Sequence, residues 1–167
     1  MQTSSRIELA KKDVIEEFKK IQKSNGFRND VASVLPLIRS EDQITQYPEI
    51  GIELGPEKLQ PLNDKWTVYD SNVTVFIVGT VESNTDTETD VPYAIDAMEA
   101  LVHDMRKVVV TIFSKYINQL ENRWNVSPKT KEIIFYRQSN LGNKRNKHLV
   151  ETSFNIKVRI DTIVEKE

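Results

Sequence analysis

The chain has 167 residues and a formal net charge of −2 at pH 7, with 38% hydrophobic and 29% charged residues. This composition is typical of one soluble globular domain over residues 1–167, and it excludes a disordered or fibrous protein. Because the sequence contains no cysteine, disulfide bonds, thiolate nucleophiles and Cys-ligated metals are excluded as well. A pI near 5.8 argues against a dedicated nucleic-acid binder.

The small net charge hides a strong difference between segments of the chain. The formal net charge is +3 for residues 1–40, −12 for residues 41–104 and +7 for residues 105–167. Such a difference favours electrostatic pairing, either inside the fold or between molecules.

The sequence predicts neither a membrane span nor a signal peptide. The longest apolar stretch, Val108–Phe113, is far shorter than the roughly 18 residues that a membrane span needs. The first residues, Met1–Arg6, are not followed by the apolar segment of a signal peptide. We therefore expect no membrane partner.

The first predicted element is an amphipathic helix over residues 5–24. Ser5 and Glu8 have the spacing of a capping box, and Asn25-Gly26 is typical of a helix end. Apolar residues recur at spacings of three and four, at Ile7, Ala10, Val14, Phe18 and Ile21. A short edge strand within residues 31–38 is expected to follow.

Two strands and an acidic loop are predicted in the middle of the chain. Apolar residues alternate over residues 50–54, and Gly55-Pro56 predicts the end of that strand. A turn at residues 61–64 precedes a long strand over residues 65–81. Residues 82–91 are too polar to pack, so we expect an exposed loop there.

A long helix is predicted over residues 91–122, where apolar residues keep helical spacing. The β-branched run at residues 108–112 indicates a bend or a break. The sequence therefore leaves open whether this stretch is one helix or two elements.

The C-terminal part is predicted to contain a strand over residues 131–137, a polar loop over residues 140–147 and a strand over residues 150–164. The last strand alternates apolar and polar residues, which is typical of a half-buried strand. The expected order of elements is α-β-β-β-α-β-β. It indicates an α+β fold class, with a single mainly antiparallel or mixed sheet and two helices packed on one face.

No catalytic, metal or cofactor-binding residues can be recognised. His103 and Asp104 are adjacent on a predicted helix, where neighbouring side chains diverge by about 100° and cannot share a ligand. Gly51 and Gly55 do not form a phosphate loop, because Pro56 removes an N–H that the anion would need. We therefore expect no cofactor and a protein that is not an enzyme.

Four acids with no intervening base mark the predicted loop after the long strand, namely Glu82, Asp86, Glu88 and Asp90. Their spacing lacks the glycine and the terminal bidentate glutamate of an EF-hand loop. Nothing apolar surrounds them to raise the pKa of a general acid. We interpret this acidic loop as a candidate subunit interface, as a surface facing the lumen of a ring, or simply as a solvated loop.

Four bases mark the predicted C-terminal hairpin, namely Arg137, Lys144, Arg145 and Lys147. They would be able to contact a phosphate backbone, but no aromatic residue is interleaved for base stacking. The other two interpretations are a solvated β-turn and a candidate interface loop that binds the acidic loop of a neighbouring copy.

Several short motifs, together with the order of elements, resemble the tail terminator (tail completion, or minor tail) proteins of long-tailed bacteriophages. The motifs are Ser24-Asn25-Gly26-Phe27, Asp30-Val31, Tyr47-Pro48-Glu49-Ile50-Gly51-Ile52, Gly55-Pro56-Glu57 and Ala100-Leu101-x-x-Asp104-Met105. A valine-rich strand and an Asp/Thr-rich loop lie between the last two motifs. The resemblance spans most of the chain.

The resemblance implies a structural virion protein located at the head-proximal end of the tail and assembled in the host cytoplasm. It would form a homo-oligomeric ring, usually a hexamer, that caps the tail tube, stops its polymerisation and provides the head–tail joining surface. Its partners would be other copies of itself, the tail tube protein and the head–tail connector protein. Viral DNA would pass through the ring without sequence-specific binding.

Two other functions remain open from the sequence. The first alternative keeps the phage context and is another neck, head–tail connector or baseplate subunit. The second is a non-phage adaptor domain that binds partners through an open sheet edge.

Overall fold

A mixed six-stranded sheet with two helices on one face forms the fold, which confirms the predicted α+β class. The computed structural model describes residues 5–40, 42–83, 91–117, 122–139 and 146–162, with only the backbone for residues 91–95. The elements are α1 (Arg6–Phe18), β1 (Ser33–Leu35), β2 (Glu49–Pro61), β3 (Val68–Glu82), α2 (Val91–Lys115), β4 (Asn125–Val126), β5 (Tyr136–Gln138) and β6 (Lys147–Asp161). This order adds the two-residue β4 to the predicted one.

Three long antiparallel strands, β2, β3 and β6, form the centre of the sheet. The strand order is β1-β2-β3-β6-β4, and β5 also pairs with β6. Strand β1 runs parallel to β2, whereas the other pairs are antiparallel. The β3–β6 pairing extends without interruption from Val68↔Asp161 to Glu82↔Lys147.

The core lies between the sheet and the two helices. The predicted alternation holds, because Val73, Val75 and Ile77 of β3 and every second residue of β6 from His148 to Val158 are buried. Gly79 of β3 lets α2 approach closely. A Cβ atom there would lie 2.8 Å from Leu101 Cδ2. No helix within the described ranges is long and apolar enough to cross a membrane.

Helix α1 begins as predicted and ends early. The capping box is complete, since the Ser5 side chain accepts from Glu8 N and the Glu8 carboxylate accepts from Ser5 N. The helix ends at Phe18, and a short 3₁₀ helix, Lys23–Asn25, follows. Gly26, with φ at 87°, ends that 3₁₀ helix. The Asn25-Gly26 pair therefore ends the 3₁₀ helix and not α1, as the sequence had predicted.

The predicted boundaries of β2 and α2 were wrong. Strand β2 continues through Gly55-Pro56 by means of a register shift between Leu54 and Glu57, and a bulge tolerates the missing N–H of proline. Helix α2 runs unbroken through residues 108–112 and ends at Lys115 rather than at residue 122. Three of those β-branched side chains are buried in the core, so packing outweighs their low helix propensity.

The buried carboxylate of Asp104 ties α2 to the loop after the 3₁₀ helix, and we call this contact the Asp104 clamp. Its two oxygens accept from Arg28 N at 2.9 Å, Asn29 N at 2.9 Å and Asn29 Nδ2 at 2.8 Å. One turn further along α2, Lys107 Nζ donates to Gly26 O at 3.3 Å and lies 4.7 Å above the Phe27 ring. The sequence analysis considered Asp104 beside His103 and within a motif, but it predicted no hydrogen-bond partner for its carboxylate.

Helices α1 and α2 are joined by a second polar contact around Glu17. Its carboxylate accepts from Lys115 Nζ at 2.6 Å and from Lys20 Nζ at 3.1 Å. Burial alone raises the pKa of Glu17, but the hydrogen bonds and charges of Lys115 and Lys20 outweigh it and leave the pKa below its ordinary value of 4.5.

Substitution of Asp104 by alanine is expected to destabilise the fold, because it leaves three donors without an acceptor. We expect the free energy of unfolding to fall by about 3 kcal/mol. Denaturant unfolding followed by circular dichroism measures this change. Asp96→Ala, at an exposed position of the same helix, is the control and is expected to shift the value by less than about 0.5 kcal/mol. Equal effects of both variants would contradict the role of the clamp.

Acid is expected to weaken the fold partly through Glu17. Because its pKa is lowered on folding, its contribution to stability is present above pH 4.5 and is lost as the pH falls through the folded-state value. The variant Glu17→Gln should be less stable than the parent at pH 7, with the difference shrinking below pH 4.5. Thermal unfolding across this range measures it. Glu16→Gln, whose side chain is 56% exposed, should show no such convergence.

Candidate assembly surface

Only one of the four candidate acids lies within the described residues. Glu82 is the last residue of β3 and forms an ion pair with Lys147, its direct neighbour at the start of β6. Asp86, Glu88 and Asp90 lie outside the described residues. The one acid that is described is therefore paired within its own chain.

Two of the four candidate bases are described, and both are engaged. Besides its ion pair with Glu82, Lys147 places its ammonium 4.4 Å from the ring centroid of Tyr47. Arg137 forms two hydrogen bonds with Glu99 of α2, Nε–Oε1 at 2.5 Å and Nη2–Oε2 at 3.2 Å. Lys144 and Arg145 lie outside the described residues.

The structure brings one candidate acid, Glu82, and one candidate base, Lys147, together at one end of the sheet. Ser83 N donates to Asn146 O at 2.9 Å, directly beyond the Glu82–Lys147 pair. The two loop sequences therefore begin side by side on neighbouring strands. The charges of Glu82 and Lys147 therefore compensate each other within one subunit. The sequence alone left open whether such pairs form within one copy or between copies.

His148 belongs to the core and not to a solvated loop. Its ring is fully buried, and Nε2 lies 3.1 Å from Ser83 Oγ. Burial, and secondarily the charge of Lys147, lower its pKa below 6.5, so the imidazole is neutral at pH 7. Within the described residues, no group of three or more His, Asp or Glu side chains could hold a metal.

An apolar hairpin tip, which the sequence patterns did not reveal, is the first unpartnered feature of the surface. Leu59, Leu62 and Trp66 lie around the β2–β3 turn and are 50%, 45% and 47% exposed. The turn is held by Asn63, whose side chain accepts from Thr67 N and donates to Thr67 Oγ1. We call Leu59, Leu62 and Trp66 the hairpin tip.

Trp66 has a backbone conformation that is unfavourable for a bulky residue. Its φ is 57°, in the left-handed region, and it is the only non-glycine residue in the described ranges with positive φ. Such strain is typical of residues retained for function. In the sequence, the apolar residues Leu62 and Trp66 flank the turn residues Asn63 and Asp64. This pattern was the signal from which the hairpin tip could have been predicted.

An apolar groove between α2 and the segment before β5 is the second feature that was missed. It has a volume of about 530 Å³ and is lined mainly by Val109, Val110, Phe113, Ile117, Ile133 and Phe135. Val110 and Ile117 are 59% and 48% exposed. Phe113 packs edge-on against Phe154 of β6, which fixes the floor of the groove. We call this feature the apolar groove.

Comparison of the sequence with protein-family models finds no match, and comparison with curated proteins finds none either. The function of this chain is therefore inferred from its own residues and from their geometry.

Substitution of Trp66 by asparagine is expected to leave the folded monomer intact. The change removes a half-exposed ring but relieves the left-handed strain, because asparagine tolerates positive φ. We expect the free energy of unfolding to change by less than about 1 kcal/mol. Chemical denaturation is the measurement, with Trp124→Phe as the buried comparison that should cost more. A large loss in Trp66→Asn would show that Trp66 serves the fold.

Proposed function

We propose that this chain is a structural virion protein of the tail terminator type and not an enzyme. In this role, several copies form a ring, expected to be a hexamer, on the head-proximal end of a phage tail tube. The ring stops tube polymerisation and presents the surface to which the head–tail connector binds. DNA passes through it without sequence-specific contacts.

The observation that carries this proposal is that four of the five motifs of the resemblance are linked by hydrogen bonds that involve the motifs and the residues beside them. From the Asp104 clamp, the chain continues to Asp30, whose carboxylate accepts from Lys23 N at 2.7 Å. Ala32 N then donates to Pro48 O at 2.9 Å, and Ser33 Oγ donates to Glu49 Oε1 at 3.1 Å. Motifs that are separate in sequence therefore share a structural role, which supports the resemblance.

The surface of the molecule supports an assembly role. A cyclic ring needs heterologous contacts, in which two different patches of one subunit meet. The hairpin tip and the apolar groove are two such patches, both exposed and apolar.

One observation favours the adaptor alternative. Strand β1 covers only Glu49–Gly51 of β2, so the rest of that strand has no outer neighbour among the described strands. An open edge of this kind can accept an extended peptide. Pro56 and Pro61 in the uncovered part lack N–H groups, which makes strand addition there less favourable.

Addition of the purified protein to growing tail tubes tests the proposal. We expect negative-stain electron microscopy to show extra density on one end of each tube, and tube length to stop increasing. Finished tails, whose head-proximal end is already occupied, are the control and should gain no density. Binding to a purified head–tail connector without capping of tubes would favour a neck subunit. Capture of an extended peptide by a monomer, with bare tubes, would favour the adaptor.

A further inference from the structure

The hairpin tip and the apolar groove cannot meet within one subunit. Ile117 of the groove bridges to Val126, which pairs with Ile156 of β6. Asp161, which pairs with Val68 at the base of the hairpin, lies five residues further along β6. Five strand residues span about 16 Å, and the turn extends beyond that point. No side chain bridges such a distance, so any contact between the two features joins different molecules.

We propose that the hairpin tip of one copy docks into the apolar groove of a second copy. Trp66 is the anchor, and Leu59 and Leu62 add exposed apolar surface near the same turn. The contact is heterologous, since tip and groove are different surfaces of the same chain. Repeated around a ring, this contact would join each subunit to the next. Its biological role therefore rests on the proposed function.

The size and chemistry of the two features match. The groove, at about 530 Å³, lies within the range of pockets that bind organic groups, roughly 300–1,000 Å³. Tryptophan is the residue that most often dominates interface energetics, because it buries a large, rigid surface at a small cost in side-chain entropy. The exposed Val110 and Ile117 are the groove residues that would gain most from being covered.

Each of the two features has one acid and one base beside it. Asp64 and Lys65 directly precede Trp66 in the turn, and the groove has Arg106 in its lining and Glu132 next to Ile133. Within the described part of the chain, none of these four side chains forms an ion pair. Two pairs of opposite sign are therefore available to a docked tip. Such rim charges set register and association rate more than affinity.

The strain at Trp66 has a natural explanation in this contact. A type I turn followed by a left-handed residue is a common hairpin connection, and glycine or asparagine usually occupies that last position. A tryptophan there costs conformational energy, and Trp66 stays 47% exposed in the isolated subunit although its ring centroid lies 6.3 Å from that of Tyr69. Insertion into a neighbouring groove would bury the ring and offset that cost.

Cysteine cross-linking tests the contact directly, because the chain contains no cysteine of its own. The single variant Lys65→Cys, at an exposed turn position that leaves the Trp66 anchor in place, is mixed with Val110→Cys. The two carry tags of different length and are oxidised together at high protein concentration. A disulfide forms only where the two Cα atoms come within about 7 Å. We expect a heterodimer whose yield exceeds that of the control pair by about tenfold or more. A chain with both substitutions should give a ladder of cross-linked oligomers.

The control pair replaces Lys65→Cys by Leu37→Cys. Leu37 is exposed like Lys65, but it lies outside the hairpin. Equal heterodimer yields for the two pairs, with and without tail tubes present, would overturn the proposal. So would a predominance of Lys65→Cys homodimers, which would indicate a two-fold contact, or cross-linking of Val110→Cys to the tube protein alone.

The outcomes separate this contact from the proposed function. Capped tubes without the specific heterodimer would leave the terminator role standing and remove the tip-in-groove contact. The specific heterodimer with uncapped tubes would keep the contact and remove the terminator role.

Discussion

The buried carboxylate of Asp104 is the interaction on which the arrangement of the fold depends. A charged group that is fully removed from water is tolerated only when hydrogen bonds replace its hydration. Here the replacements are the backbone amides of Arg28 and Asn29 and the Asn29 side chain. The loop must therefore adopt one conformation against α2. That conformation sets where the chain enters β1 and, through Ala32 and Pro48, where β2 begins.

Features that depend on neighbouring residues were predictable from the sequence, whereas features that depend on distant contacts were not. The alternation in β6 and the capping box of α1 follow from local spacing, and both were confirmed. The extension of β2 past Gly55-Pro56 depends on pairing with β3, which local turn signals do not reveal. Helix α2 likewise continues through its β-branched run because Val108, Val109 and Ile112 fill the core.

The charge asymmetry of the sequence is explained in part by pairing inside the subunit. Among the residues that the structure describes, three ion pairs join an acid of the middle segment to a base of the C-terminal segment, namely Glu82–Lys147, Glu99–Arg137 and Asp70–Arg159. Composition indicated that opposite charges would meet, but the pairs follow from strand register and helix packing. The exposure of the hairpin tip and of the apolar groove could not be predicted from the sequence either. Whether an apolar side chain stays exposed depends on tertiary packing, which local sequence patterns do not show.

These internal ion pairs change what holds copies of the chain together in the proposed ring. A charge that already has a partner inside its own subunit contributes little to attraction between subunits. The affinity of an assembly must then come from buried apolar anchors, with the remaining free charges setting register. The hairpin tip and the apolar groove are apolar surfaces that folding leaves exposed, and the strain at Trp66 is a cost that folding alone does not explain. The features that serve assembly in this view are therefore those that the isolated subunit does not need.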